Sequence, residues 1–306
     1  MERDFPQVRW DAAVAEECRR LVRLAIAEDL GDQHDWTTLA LVPSGTTGRA
    51  AVVSRQSGVA CGLRAAEIVL HEMDLQAEWL PHATDGEGLS PGQSLGEIAG
   101  SARTLLAAER TLLNFIGRLS GIATRTRKFV DAAAGSNARI YDTRKTTPGW
   151  RRLEKYAVAC GGGHNHRLGL CDAILIKDNH LAFGASAGER FSPAEAVAKA
   201  KALRGQFGPH DHRSQMLIEI EVDTLDQLDQ VLPAEPDLVL LDNMPPELLA
   251  QAVARRDAAA PRVELEASGG VRLDTVAAIA ATGVDRISAG AITHSAVWLD
   301  VGLDWR

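Results

Sequence analysis

The sequence predicts an α/β protein, with a parallel (β/α) barrel in its second half and a small α+β unit before it. Three observations predict this. From residue 138 onward, short runs rich in Ile, Leu and Val alternate six times with helical segments. Ahead of residue 102 the strand-like pieces are instead separated by glycines, with one helical segment among them. Nearly every apolar run of the second half ends in a charged or polar residue or in glycine, which suits a barrel whose chemistry sits at the carboxyl ends of its strands. A length of 306 residues accommodates two domains or one large barrel.

Taken in order, "DAAVAEECRRLVRLAIAEDLG" sets Val14, Cys18, Leu21, Val22, Ala25 and Ile26 at helical spacing, and Gly31 supplies the stop. "GRAAVVSRQSGVACG", "DLQAEWL" and "QSLGEIAG" follow as short strands, interrupted by the helix "LRAAEIVLHEM". A long helical pattern, "TLLAAERTLLNFIGRLSGIATRTRKFVDAAAG", is expected to break near Gly121 and to bridge the domains. The alternating units then run through "ARIYDTR" with "GWRRLEKYAVACGG", and "DAILIKD" with "PAEAVAKAKALRG". They continue with "MLIEIEV" and "TLDQLDQVL", "DLVLLDN" and "PPELLAQAVARRDAAA", "VELEASGG" and "RLDTVAAIAATG", and finally "DRISAGA". No GxGxxG opens a helix after a strand, so a dinucleotide fold is not indicated. The expected limits are 1–122 for the first domain and 123–290 for the barrel.

Composition narrows the function. Apolar residues make up 45% and charged residues 24%, ordinary for a globular chain with a sizeable core. A formal net charge of −8 argues against general nucleic-acid binding, which needs a basic face. Cys18, Cys61, Cys160 and Cys171 form no CxxC pair and no zinc spacing, and read as reduced, mostly buried thiols. "MERDFPQVRWD" carries charge from its second residue and lacks the apolar run of a signal peptide, and no stretch suffices to span a bilayer. A cytoplasmic protein without membrane or nucleic-acid partners is therefore expected.

Within this acidic chain, residues 139–177 gather eight Lys/Arg against three acids, a local net of +5, with His164 and His166 in addition. The strand ends of the expected barrel are Asp142-Thr143-Arg144-Lys145, Lys177-Asp178, Glu219 and Glu221, Asp242-Asn243, Ser268-Gly269-Gly270 and Ala289-Gly290. Alone, "SGG" or "SAG" is a turn. Together, after the last two strands, they stand where barrels cradle a phosphate with backbone N–H groups. Glu221 and Asp242 read either as solvated carboxylates or as a pair that holds Mg²⁺ through water or accepts bonds from sugar hydroxyls. Alternation along "MLIEIEV" puts Glu219 and Glu221 on one face without saying which enters the cleft. Arg144, Lys145, Arg167 and Lys177 read as surface cations or, at strand ends and in a glycine-rich turn, as an anion site. Arg151, Arg152 and Lys155 read as a solvated helix face. His166 is either an anion donor or a structural histidine, and no metal motif surrounds it. Guanidinium forks match carboxylates and phosphates, so so many cations among glycines predict a small polyanionic substrate.

Over essentially its whole length the chain resembles the quinolinate phosphoribosyltransferase family, the carboxylating nicotinate-nucleotide pyrophosphorylases. The resemblance is carried by "EDLG…DWTT", "AERTLLNFIGRLSGIAT", "YDTRKTTPGWRRLEKYAV", "GGGHNHRLGL", "ILIKDNH", "IEVDTLDQL", "LLDN", "LEASGG" and "ISAGAITHS". Only the "GERF" and "RGQFGPHDHRSQ" stretches look longer than the family requires. The resemblance implies an amino-terminal α/β sandwich, joined by the carboxy-terminal segment 291–306, and an open barrel of about seven parallel strands. It implies homodimers or multiples of them, with Arg110 of "AERTLLN" reaching a neighbouring subunit's site. It further implies that Arg144, His166, Arg167 and Lys177 hold the carboxylates of quinolinate, and that Lys145, with Thr143, meets phosphoribosyl pyrophosphate. Glu221 and Asp242 would serve ribose hydroxyls and a Mg²⁺–pyrophosphate, and Ser268, Gly269, Gly270, Ala289 and Gly290 the 5′-phosphate. The implied reaction yields nicotinate mononucleotide, CO2 and pyrophosphate. Two other readings of the residues are a paralogue of the same barrel acting on another acid or base, as in molybdenum-transport-associated relatives, and a non-catalytic protein that binds a phosphosugar or dicarboxylate.

Overall fold

The structure, a computed structural model, describes residues 4–74, 76–184 and 191–306. It divides into two compact units. One comprises Val8–Lys128, Lys145–Gly163 and Ile292–Arg306, and the other Met1–Gln7, Phe129–Arg144 and His164–Ala291.

The first unit opens with the helix Ala12–Leu30, whose Asp11 side chain accepts the Val14 N–H and whose end is turned by Gly31 at positive φ. Strands β1 (Thr47–Ser54), β2 (Gly58–Val59), β3 (Glu78–Pro81), β4 (Gly88–Leu89) and β5 (Ser94–Ser101) follow, with the helix Leu63–Met73 between β2 and β3. β1 lies antiparallel between β5 and the carboxy-terminal strand Val301–Trp305, and β3 pairs with the far side of β5. The helix Ala102–Ala132 runs uninterrupted, so the break expected near Gly121 does not occur. The glycine serves a close approach instead: a Cβ at Gly121 would stand 2.2 Å from the Val297 carbonyl oxygen. One turn earlier, the Leu299 N–H donates to the Gly117 carbonyl at 2.9 Å.

In the second unit, among the described residues, six strands form one parallel sheet: β6 (Arg139–Tyr141), β7 (Ala173–Ile176), β8 (Leu217–Val222), β9 (Leu238–Asp242), β10 (Glu264–Ser268) and β11 (Arg286–Ser288). Their order is β6-β11-β10-β9-β8-β7, so β6 and β7 stand at the two edges of an open barrel. His164 adds a single parallel bridge to Tyr141 at the β6 edge, a one-residue stand-in for a seventh strand. Of "GERF", residues 188–190 lie outside the described residues. "RGQFGPHDHRSQ" forms a turn and the 3-10 helix His212–Gln215.

Parallel register aligns side chains of neighbouring strands on one face. Glu221 is level with Leu240, Leu240 with Glu266, and Glu266 with Arg286. Phe5, Tyr141, Ala173, Leu217 and Leu238 pack as one buried cluster, in which Ala173, Leu217 and Leu238 open their strands and Tyr141 closes β6. There the fully buried Arg286 donates to Asp4 at 2.9 Å and pairs with Glu264, while Arg139 donates to Glu264 at 2.9 Å. Cys18 and Cys61 are buried, Cys160 is half-buried, and Cys171 is exposed, so the thiols are less uniformly buried than expected.

Candidate active site

Asp142 directly follows β6, is fully buried and anchors the loop of Asn165 and His166. Its carboxylate accepts the His166 N–H and the Asn165 side-chain amide, each at 2.8 Å. Pinned in this way, Asn165, His166 and Arg167 lie back across the edge of β6. Arg167 is buried, and Arg144, two residues beyond Asp142, is exposed. Burial, and then the nearby positive charge of Arg144, lower the proton affinity of the Arg167 guanidinium. The two cations are thus electrostatic neighbours, and Arg167 is partly desolvated.

His166 is held on every side. Its Nδ1 accepts the Arg167 backbone N–H at 2.8 Å, so the ring hydrogen resides on Nε2. Nε2 faces a Glu219 oxygen at 3.1 Å and a Glu266 oxygen at 3.6 Å. These three residues offer donor atoms within 4.8 Å of one another. The set is nevertheless a poor metal centre, because a ligating histidine donates from its other nitrogen, whereas this one accepts there. Burial first, and then the charge of Glu219, raise the Glu266 carboxyl to about 7, with His166 and Ser288 acting in the opposite direction.

At the carboxyl end of β7, Lys177 sits beside Glu221 of β8 and pairs with it, as the register of Ile176 with Ile220 requires. Of the two acids on that face of β8, Glu219 is fully buried, while Glu221 remains partly open. Glu221 is therefore the mouth carboxylate, and Glu219 lies one step deeper. Asp242 ends β9, half-buried, and accepts the Asn243 side-chain amide at 2.6 Å. Asn243 takes a left-handed backbone, φ 54°, and its N–H donates to the Ser268 carbonyl at 2.9 Å. Gly269 and Gly270 follow at φ 86° and 57°, and a Cβ on Gly269 would meet the Asn243 Oδ1 at 2.3 Å. Only glycine fits there. Ser288 donates to the Ser268 hydroxyl at 3.0 Å, and the Ala289 N–H donates to the Tyr141 carbonyl, which draws Ala289-Gly290 to the same rim.

Thr143 is half-buried beside Arg144. Lys145 and Arg110 belong to the first unit. Lys145 is exposed and lines a pocket of about 930 Å³ with Thr146, Thr147, Trp150 and Arg118. Arg110 is exposed on the long helix and meets no ion-pair partner among the described residues. Two expectations need correction. Lys155 is fully buried rather than solvated, because the helix Arg151–Cys160 buries every residue from Leu153 to Val158. Arg152 is paired with Glu17 at 2.8 Å, and Arg151 donates to the Thr146 hydroxyl.

Sequence reasoning missed Asp142 as the loop anchor, Glu266 as the partner of Glu219, and Arg118, which pairs with the fully buried Glu154. The signal for Glu266 was available: the alternation that set Glu219 beside Glu221 also sets Glu266 on the Ser268 face of "VELEASGG".

Comparisons with known proteins cover nearly the whole chain. Residues 35–120 match the family described as quinolinate phosphoribosyl transferase, N-terminal domain, and residues 122–304 match its C-terminal domain. The chain is 46% identical over 288 residues to the carboxylating nicotinate-nucleotide pyrophosphorylase of Mycobacterium leprae, covering 94% of this chain and 96% of that protein. It is 37% identical to a probable enzyme of the same name from Bacillus subtilis, covering 94% of this chain and 93% of that one. The solved structure of the Francisella tularensis nicotinate-nucleotide pyrophosphorylase superposes with a TM-score of 0.87 at 37% identity, covering 99% of this chain and all of that one.

Proposed function

The chain belongs to the quinolinate phosphoribosyltransferase family, and we propose that it transfers the phosphoribosyl group of phosphoribosyl pyrophosphate to the ring nitrogen of quinolinate with loss of the adjacent carboxylate. The products are nicotinate mononucleotide, CO2 and pyrophosphate, so the enzyme is a pentosyltransferase of de novo NAD biosynthesis. One observation carries the reading. Arg167 is a guanidinium whose proton affinity is depressed first by burial and then by the neighbouring Arg144, an arrangement that a multiply charged anion would relieve.

Arg144, Arg167 and Lys177, with His166 beside them, hold the two carboxylates; each hydrogen bond to a charged group contributes roughly 1.5–3 kcal/mol. Lys177 is balanced by Glu221 before substrate arrives. The incoming dianion competes for Lys177 and frees Glu221 to accept ribose hydroxyls beside Asp242. Both carboxylates are oxygen donors at open strand ends, which suits the oxygen-rich, water-retaining shell of Mg²⁺. When bound there through water, Mg²⁺ would neutralise charge on the leaving pyrophosphate. Backbone N–H groups of the Ser268-Gly269-Gly270 turn receive the 5′-phosphate, with Ala289-Gly290 lining the same end of the sheet, and Thr143 and Lys145 contact the donor. Fixing both reactants orients the pyridine nitrogen toward ribose C1. As C1 gains cationic character, Glu221 and Asp242 stabilise it electrostatically. The quaternised nitrogen then accepts the electron pair of the breaking carbon–carboxylate bond.

The domain limits at 122 and 290 are part of the same reading. The pairing of Val301–Trp305 with β1 supports the return of the carboxy-terminal segment, of which Ile292–Arg306 belongs to the first unit. Cytoplasmic localisation is proposed too; among the described residues no helix is long and apolar enough to cross a membrane. So is a homodimer, or a multiple of it, in which Arg110 serves the partner's site; its exposure and its lack of an ion-pair partner among the described residues support this. Mixing inactive Arg110→Ala and Lys177→Ala homodimers should restore activity through hybrid sites, and no recovery after verified subunit exchange would defeat the shared site. The reaction itself is tested by pyrophosphate release that requires both quinolinate and Mg²⁺; turnover of nicotinate in place of quinolinate would overturn it.

A further inference from the structure

The first described residues, Asp4–Gln7, belong to the barrel unit rather than to the domain that follows them in sequence. Phe5 is buried and lies flat on the His166 ring, with centroids 4.2 Å apart and planes 27° from parallel. It also stands nearly perpendicular to the Tyr141 ring, with centroids 6.4 Å apart. Asp4 fixes this segment to the barrel floor by accepting the Tyr141 hydroxyl and the Arg286 guanidinium, each at 2.9 Å. Gln7 then clasps the loop that carries the anion-binding residues. Its Nε2 donates to the Asn165 carbonyl at 3.1 Å, and its Oε1 accepts the Asn165 N–H at 2.7 Å. The same Nε2 also donates to the Phe5 carbonyl at 2.9 Å, which ties the clasp to the stacked ring.

The loop is thus gripped from two directions. Asp142 holds Asn165 and His166 from the end of β6, and Phe5 and Gln7 hold the same two residues from the amino-terminal strap. Arg167 follows directly, with its backbone N–H committed to His166 Nδ1. Tilting the His166 ring would therefore carry the Arg167 backbone with it. The strap thus adds a second anchor to the one that Asp142 provides.

We propose that Phe5 and Gln7 are positioning residues for the quinolinate-carboxylate pocket, setting the His166 ring plane and through it the placement of the Arg167 guanidinium. This rests on the reading that Arg167 binds substrate carboxylate. It predicts a selective defect: the phosphosugar-binding turns are built from other strands and should not sense the strap.

The test compares full-length Gln7→Ala, Gln7→Glu, Phe5→Leu and Arg167→Ala with the parent in steady-state kinetics, varying each substrate in turn. Gln7 is exposed, so Gln7→Ala should fold normally even if Phe5→Leu does not. Gln7→Ala should raise the KM for quinolinate by about fivefold or more while the KM for phosphoribosyl pyrophosphate stays within about twofold, since small misplacement of a binding group is costly. Gln7→Glu, which keeps the acceptor for the Asn165 N–H, should recover part of the loss. A quinolinate KM raised by Arg167→Ala but unmoved by Gln7→Ala would overturn the inference alone. A quinolinate KM unmoved by Arg167→Ala would overturn the underlying assignment and the inference with it. Equal rises in both KM values for Gln7→Ala would also refute it, since that reports general loosening.

Discussion

Replacing Glu266 with glutamine should stabilise the protein at alkaline pH and hardly at all in acid. Glu266 is fully buried, and its carboxyl is raised from the ordinary 4.5 to about 7, first by burial and then by the charge of Glu219. The folded protein thus keeps a proton on Glu266 that the unfolded chain releases. Protonated Glu266 supports the fold fully below pH 4.5, and that support is lost as pH rises through about 7. At about 1.4 kcal/mol per pH unit, the loss between the two values is on the order of 3 kcal/mol. A carboxamide at this position carries no charge at any pH, and its N–H can donate to Glu219. Glu266→Gln should therefore exceed the parent by roughly 2–3 kcal/mol at pH 8 and by about 1 kcal/mol or less at pH 5. All six tryptophans lie in the first unit, so fluorescence would not follow the barrel; far-UV circular dichroism in urea is the suitable probe. An equal shift at both pH values, or destabilisation at pH 8, would show that Glu219 and Glu266 do not repel each other inside the barrel.

Further outcomes follow from the same geometry. Arg118→Ala should destabilise the first unit by about 3–5 kcal/mol in urea unfolding, because it removes the counter-charge of the fully buried Glu154 and leaves it only the Thr147 hydrogen bonds among those described, and adding Glu154→Gln should recover much of the loss. Gly269→Ala places a methyl against Asn243 at a positive φ; it should raise the KM for phosphoribosyl pyrophosphate about tenfold or more and leave that for quinolinate nearly unchanged. A reversed pattern would remove the phosphate turn from the donor site.

Much of this was legible in the sequence because a parallel barrel writes its chemistry at strand ends. Lys177, Glu221, Asp242 and Ser268 each follow or close an apolar run, and the structure gathers them at the same end of the sheet. What could not be read were contacts without local pattern. Gln7 and Asn165 stand 158 positions apart, and nothing in either neighbourhood announces the other. Gly121 had the look of a helix breaker, yet a glycine inside a strong helical pattern lowers helix stability by only about 1 kcal/mol, and the reason for it lay in the distant Val297 carbonyl. Lys155 was misread because charge ordinarily marks a solvated face, whereas its helix is covered on all sides over that stretch.

The basic window of residues 139–177 shows why charge density along a chain is not charge density in space. Arg139 and Arg144 are only five residues apart, but β6 lies between them, and an extended strand advances roughly 3.3 Å per residue. Arg139 is therefore spent at the floor on Glu264, while Arg144 emerges at the rim near Arg167. Arg151, Arg152 and Lys155 leave with a helix of the other unit. The cations that the proposed reading assigns to substrate are those placed just past a strand end or in the loop folded against it. An acidic chain can thus gather positive charge locally: among the described residues Arg139 and Arg152 are paired with acids where they lie, and in the proposed reading the substrate competes with Glu221 for Lys177 and meets Arg144 and Arg167 beside it.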